Sequence, residues 1–176
     1  MIFNSQSGLI QTGDRAREAD WALWYFEHLR IMATVPGVYS AQRFTTTHLR
    51  HSPSLAMYGI ASADVFEGEY YQSVRGMGEW LPLIDKQWYR RNLFEGLPAA
   101  PLLAEDQVLL VADRDVPDIP LAAGLFTWLK VAGIDRTTPY RGIAVVESNA
   151  VPPLPDDVAI YVQASQRYVN AKEIIK

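Results

Sequence analysis

The feature that most constrains the fold is a run of aromatic and apolar side chains that recur every three or four residues within 15–34. This spacing places them on one face of an α-helix. Asp14 is a candidate N-cap, and Pro36 and Gly37 end the helix, because proline disfavours helical geometry at the residue before it. We therefore predict a helix over about 15–34. Its inward face comprises Trp21, Trp24, Tyr25, His28, Met32 and Val35.

The segments around this helix have the composition of strands and turns. β-Branched and aromatic residues dominate 38–47 and 55–61, and the turn between them contains Pro53, so we predict a hairpin. A second helix is predicted to begin at Ser62. Further strands are predicted at 2–12 and 88–95. The predicted order in this part of the chain is therefore βαββαβ.

The rest of the chain predicts a shorter unit with the order βαββ. Two prolines and weak periodicity indicate a linker at 98–105. A shift of 96 positions aligns Gly37 with Gly133, together with the apolar residues that precede each glycine, as in a repeated unit. The predicted elements are strands at 107–112, 143–147 and 158–162, a helix over 120–132, and a short helix or frayed end over 166–176. We therefore divide the chain into 1–97, the linker 98–105, and 106–176.

Composition excludes several classes of function. The chain of 176 residues has no cysteine, which excludes disulfides, thiolate zinc sites and cysteine nucleophiles and fits a cytoplasmic location. A net charge of −4 and a pI near 5.3 argue against a nucleic-acid partner. No apolar run approaches the ~20 residues that cross a bilayer, and 1–12 is broken by polar residues, so we expect no membrane association and no signal peptide.

Several motifs of the first unit resemble the EthD-like branch of the dimeric α/β-barrel superfamily. They are Trp24-Tyr25-Phe26-Glu27-His28, Pro36-Gly37-Val38 followed by Ala41-Gln42-Arg43-Phe44, Ser62-Ala63-Asp64-Val65, and Arg91-Asn92-Leu93-Phe94-Glu95. The resemblance covers about 1–97. It implies an α+β fold, with a ferredoxin-like βαββαβ module followed by a shortened second ferredoxin-like module. In that family a second sheet, usually from a second subunit, closes the barrel, so a homodimer is expected. In this chain, residues 105–163 could instead close the barrel within one chain, or cover it imperfectly and leave an edge for dimerisation.

The candidate catalytic residue is His28. Its place among aromatic residues predicts burial, which disfavours the imidazolium and leaves a neutral base or acid near pH 7. The resemblance implies that this histidine borders the family's cavity. The alternative is a core histidine that is hydrogen-bonded to a backbone carbonyl or to Tyr25.

The candidate substrate-binding residues are Trp24, Tyr25, Arg43, Tyr58 and Arg91. The arginines could bind a carboxylate or phenolate oxygen, Tyr58 could orient an oxygen, and the aromatic rings suit an aromatic ligand. Each also has a structural interpretation. Arg43 could form an ion pair with a glutamate of the other sheet, Arg91 a salt bridge at the seam, and Tyr58 a core hydrogen bond.

No cofactor is expected. The glycines of a dinucleotide-binding motif follow a strand, and Gly76 and Gly78 do not. There is also no Walker loop. His48 and His51 have a spacing that chelates a metal on a helix, but in a turn the two rings diverge easily. Haem binding through His28 is a third possibility.

These observations give two hypotheses for function. The first is a cofactor-independent enzyme, an isomerase, cyclase or monooxygenase, that acts by proton transfer on a small apolar or aromatic metabolite. The second is a non-catalytic small-molecule-binding or structural protein with the same fold.

Overall fold

The computed structural model describes residues 1–10, 14–118 and 124–173. The strands are β1 (Ile2–Ser7), β2 (Val38–Thr45), β3 (Ser54–Ile60), β4 (Arg90–Glu95), β5 (Gln107–Arg114), β6 (Thr127–Ile134), β7 (Tyr140–Glu147), β8 (Val158–Gln163) and β9 (Tyr168–Val169). The α-helices are α1 (Arg15–Met32) and α2 (Glu69–Val74), and 3₁₀ turns cover Ala63–Glu67, Gly78–Leu83 and Ser148–Ala150.

The strands form one antiparallel sheet that closes on itself. Its order is β3-β1-β4-β6-β7-β5-β8-β2, and β2 also pairs with β3, which completes an eight-stranded barrel. The short strand β9 pairs with β2 at Ser40 and Ala41. Closure within one chain means that the eight barrel strands are paired on both sides without a second subunit.

The predicted fold class is wrong. We expected an α+β protein of two ferredoxin-like modules in a dimeric α/β-barrel arrangement. The described residues instead form a mostly β, closed barrel, and their helical structure is confined to α1, the six-residue α2 and short 3₁₀ turns. Local periodicity locates single strands and helices, whereas the pairing that closes a barrel joins residues far apart in sequence. The division at 98–105 stays a prediction; this segment joins β4 to β5.

The predicted helix over 120–132 is wrong where the structure describes it. Residues 119–123 lie outside the described residues, and 127–134 form β6, which pairs with β4 and β7. The segment has apolar residues at three- and four-residue steps, but it also contains Trp128 and Val131, which favour strands. The segment forms a strand because it pairs with β4 on one side and with β7 on the other. For the tail, 166–176, the predicted alternatives are a short helix or a frayed end; residues 168–169 form the short strand β9, and 174–176 lie outside the described residues.

Helix α1 lies on the outside of the barrel wall. Asp14 caps it by accepting a hydrogen bond from the Arg17 backbone nitrogen at 3.2 Å, as the sequence predicted for this position. Its buried line is Trp21, Tyr25, Leu29 and Met32, whereas Trp24 and His28 are only partly buried. This line packs against outward-facing side chains of the first four strands, among them Phe3, Ala41, Tyr58 and Leu93.

Apolar side chains fill the barrel interior. Alternate residues of each strand point inward, so the wall supplies two faces, one for the interior and one for the helices. The inward cluster includes Ile2, Phe44, Leu55, Met57, Phe94, Leu109, Val111, Leu129, Ile143 and Tyr161. The cavities described below therefore lie outside the wall or at the end of the barrel, on the side of the β2–β3 turn.

Candidate functional site

Arg43 is held between two aromatic rings of α1. It lies on β2 and faces the helix, because its neighbour Phe44 faces the barrel interior. Its guanidinium carbon lies 4.6 Å from the ring centroid of Trp21 and 4.6 Å from that of Tyr25. Nε donates to the Ser54 hydroxyl at 2.8 Å. Helix and sheet together thus hold the plane of this guanidinium in one place.

The charge of Arg43 has no carboxylate partner among the described residues. The predicted alternative, an ion pair with a glutamate of the other sheet, does not occur there. The side chain is 4% exposed, and burial lowers the pKa of its guanidinium, yet arginine stays charged in proteins. The aromatic faces stabilise the cation partly. The remaining N–H donors are suited to a bound oxyanion.

Arg43 lies in the wall of a cavity with a volume of about 720 Å³, which we call the large cavity. Binding sites for small molecules typically measure ~300–1,000 Å³ and have mostly apolar walls with a few fixed polar groups. This cavity has both features. Its apolar wall includes Leu9, Ile10, Trp21, Ala22, Phe26, Pro53 and Trp88, and its polar wall includes Thr45, Thr46, Thr47, His48, His51 and Gln87. Two carboxylates, Glu18 and Asp85, also line it, and Asp85 accepts hydrogen bonds from the Gln87 backbone and side chain.

His28 lies beside a different and much smaller cavity, of about 50 Å³, which we call the small cavity. Its ring stacks on Trp24 with centroids 4.9 Å apart and an interplanar angle of 8°, and it meets Tyr25 edge-on at 6.1 Å. It makes no hydrogen bond with the described residues. Burial lowers the pKa of His28 to about 4, so the imidazole is neutral at pH 7.

The predicted site residues therefore divide between two places. Tyr25, His28, Tyr58 and Arg91 line the small cavity, Arg43 lines the large one, and Trp24 lines neither. An engineered cavity of ~150 Å³ binds benzene. The small cavity has about a third of that volume, which is too little for an aromatic metabolite. Burial raises the pKa of Tyr58 well above 10, which keeps its phenol protonated.

Arg91 forms a salt bridge across the seam between β4 and β6. Its Nη2 lies 3.0 Å from an oxygen of Asp135, and its backbone nitrogen donates to the same carboxylate at 2.9 Å. Arg91 therefore forms the salt bridge at the seam that was the structural alternative to substrate binding. Tyr89 lies against the same guanidinium, at 5.6 Å from its carbon to the ring centroid.

His48 and His51 lie in the β2–β3 turn, at the rim of the large cavity. Their ring centroids are 5.1 Å apart, and Nε2 of His51 lies 3.2 Å from the Asp156 carbonyl oxygen. In the part of the chain that the structure describes, no group of three or more histidine, aspartate or glutamate side chains is placed to hold a metal ion. Within those residues, His48 and His51 therefore have no third ligand of the kind that a metal site needs.

Sequence reasoning did not group the residues that line the large cavity. Trp21 belongs to the predicted inward face of the helix. Its contact with Arg43, on the other side from Tyr25, could not be predicted because it depends on where β2 lies. Phe26 and Trp88 join the same wall from α1 and from the segment before β4. Their aromatic character was the available signal, and only tertiary structure brings them together.

Comparison with models of known protein families, with curated proteins and with solved structures gave no match. The barrel and this result together overturn the resemblance to EthD-like proteins. Among the described residues, no helix has the length and apolar character needed to cross a membrane.

Proposed function

We propose that the protein binds a small organic anion with a flat, apolar body in the large cavity. The observation that carries this proposal is the guanidinium of Arg43, which is buried, positioned and unpaired with any described carboxylate in the wall of an apolar cavity of about 720 Å³. A buried charge without a counterion destabilises a fold, so its presence in a cavity wall indicates a role other than stability.

The chemistry of Arg43 favours a carboxylate as the anionic group. A guanidinium presents parallel N–H donors that match the two oxygens of a carboxylate. Its Nε already donates to Ser54, which leaves the terminal N–H groups for a ligand. The apolar and aromatic wall, with Trp88 and Phe26, would bury the body of the ligand by the hydrophobic effect.

Proton transfer by His28 is the second candidate function. It is favoured by the neutral imidazole, which makes no hydrogen bond with the described residues and adjoins a cavity. It would make the protein a cofactor-independent isomerase, cyclase or monooxygenase. The cavity beside His28 holds only a few water molecules, so the geometry supports binding at Arg43 better.

Binding of naphthalene-2-carboxylate, measured by calorimetry, tests the proposal. We expect Arg43→Met to weaken binding at least about tenfold, because a hydrogen bond to a charged group contributes roughly 1.5–3 kcal/mol. The matched control is Arg30→Met, in which an exposed arginine paired with Glu27 is removed and binding is unchanged. Equal binding of naphthalene-2-carboxamide, or no binding of the carboxylate, would contradict the proposal.

A homodimer and a cytoplasmic location belong to this proposal as well. The location is supported by the absence of cysteine. The barrel closes within one chain, so a dimer would not be needed to complete the core. Sedimentation equilibrium separates a monomer of 19.8 kDa from a dimer of twice that mass.

A further inference from the structure

The mouth of the barrel, on the side of the β2–β3 turn, holds a further cavity. It has a volume of about 240 Å³, and we call it the polar cavity because every residue that lines it is polar or charged except Trp88. Its wall includes Gln6, Arg50, Arg90 and Asp113. Mouths of β-barrels are among the places where ligands commonly bind. The polar cavity is therefore a candidate second site.

Strand register brings four side chains of the inner wall together at this mouth. Arg90 on β4 lies directly opposite Gln6 on β1, and Asp113 on β5 lies directly opposite Arg141 on β7. Nη2 of Arg141 donates to the Gln6 side-chain oxygen at 2.7 Å, which joins the two pairs. Each of the four lies two or four residues from a member of the inward apolar cluster, so all belong to the inner face of the wall.

The carboxylate of this group is already neutralised. Nε and Nη2 of Arg141 donate to the two oxygens of Asp113, each at 2.7 Å. Arg141 is fully buried, and its guanidinium carbon lies 5.1 Å from the ring centroid of Phe94. At the rim, Arg50 is paired with Asp156 at 2.8 Å. Neither ion pair therefore adds net charge to the polar cavity.

Arg90 gives the polar cavity one uncompensated positive charge. Its Nη1 donates to the backbone carbonyl oxygens of Lys86 and Tyr89, both at 3.0 Å, which anchors the guanidinium at the mouth. Its Nε and Nη2 have no partner among the described residues, and it forms no ion pair with them. These two nitrogens are therefore available to a ligand with negative charge.

Further hydrogen-bond donors reach the polar cavity from other elements. Thr137, in the turn between β6 and β7, accepts from Asn92 at 2.9 Å, so the proton of its hydroxyl stays free to donate. Arg50 projects from the β2–β3 turn. A planar carboxylate is satisfied by the parallel donors of one guanidinium, whereas the oxygens of a phosphate point in several directions. Donors from three elements therefore favour a phosphate.

We propose that the polar cavity binds a phosphate group, either free or in a small monoester. Arg90 is the main binding residue, and Arg50 and Thr137 supply the additional donors. The site is distinct from the large cavity, because Arg90 lies on the inner face of the wall and Arg43 on the outer face. His51, Gln87 and Trp88 line both cavities and form the boundary between them. The proposal therefore does not depend on the function proposed for the large cavity.

Calorimetry with inorganic phosphate at constant ionic strength tests the proposal. We expect Arg90→Gln to weaken phosphate binding at least about tenfold, because it removes hydrogen bonds to a charged group. The matched control is Arg30→Gln, which removes an exposed arginine paired with Glu27 and should leave phosphate binding unchanged. Acetate should bind at least about tenfold more weakly than phosphate; equal binding would overturn the preference for phosphate.

Methyl phosphate distinguishes the two sources of the group. Binding as tight as that of inorganic phosphate would support a monoester as the ligand, and a loss of binding would support free phosphate. Arg43→Met should still bind inorganic phosphate. If phosphate binding is lost in Arg43→Met and kept in Arg90→Gln, the anion binds in the large cavity and the proposal is overturned.

A measurement on the unmodified protein covers the case in which Arg90→Gln does not fold. In a ¹H–¹⁵N spectrum of the arginine side chains, phosphate should shift the Nε–H resonance of Arg90 and leave that of Arg43 in place. No shift at Arg90, or no binding of phosphate at millimolar concentration, would overturn the proposal. Neither result would affect the function proposed for the large cavity, which is tested with a different ligand.

Discussion

The guanidinium carbon of Arg43 lies 4.6 Å from the ring centroid of Tyr25, so a strand residue and a helix residue together hold a cation that forms no ion pair with a described carboxylate. The same ring meets the His28 imidazole in an edge arrangement, with centroids 6.1 Å apart, beside the small cavity. One aromatic side chain thus separates the two places that sequence reasoning had treated as one site.

Replacement of Arg43 by methionine should have little effect on stability. The contacts with Trp21 and Tyr25 contribute roughly 0.5–2 kcal/mol each, but the substitution also removes the cost of burying a charge. We expect the free energy of unfolding to change by less than about 1 kcal/mol, as measured by urea denaturation. A loss of about 3 kcal/mol or more would indicate that Arg43 serves the fold and not a ligand.

Asp113→Asn should destabilise the barrel strongly. The substitution leaves the fully buried guanidinium of Arg141 without its counterion, which costs about 3–5 kcal/mol in a fully buried pair. The Asp113 side chain is 41% exposed, so solvent screens this pair and we expect a loss of about 2 kcal/mol. The matched control is Asp156→Asn, which removes the partner of Arg50 in a pair whose side chains are 70% and 81% exposed. That control should cost less than about 1 kcal/mol. Equal effects in urea denaturation would show that the Asp113–Arg141 pair contributes no more than the exposed one.

Protonation of His28 should weaken the fold in acid. Burial lowers its pKa from 6.5 to about 4 in the folded state, so the unfolded chain binds the proton more tightly. The stabilisation is complete above pH 6.5 and is lost as the pH falls towards 4. Between pH 7 and pH 4 the loss is about 3 kcal/mol.

Comparison with His28→Gln isolates this contribution from the carboxylates, which titrate in both proteins. The difference in unfolding free energy between the two proteins should change by about 3 kcal/mol over that range. A difference independent of pH would mean that the imidazole is solvated.

The packed barrel interior predicts a large effect of side-chain truncation. Leu109 is completely buried on β5, and Leu109→Ala should cost about 2–5 kcal/mol by the loss of contacts and the cavity left behind. Leu49, in the β2–β3 turn, is 93% exposed and serves as the control. Leu49→Ala should change the unfolding free energy by less than about 0.5 kcal/mol. A comparably small effect at Leu109 would mean that the interior is loosely packed.

The sequence determined the elements whose signals are local. The spacing of aromatic residues, the Asp14 cap and the Pro36-Gly37 stop predicted α1, which ends at Met32, close to the predicted end. The hairpin of β2 and β3 followed from β-branched composition and a proline-containing turn. Each of these signals depends on residues that are close together in the chain, so it can be recognised without knowledge of the tertiary structure.

Tertiary structure alone decided the rest. Segment 127–134 became β6 because β4 and β7 offer it partners, and the barrel closed because β2 pairs with both β3 and β8. The setting of Arg43 between two rings depends on the same long-range pairing, which positions β2 beneath α1. Such contacts join residues distant in the chain, and local propensity cannot specify them because their energy depends on what lies across the interface.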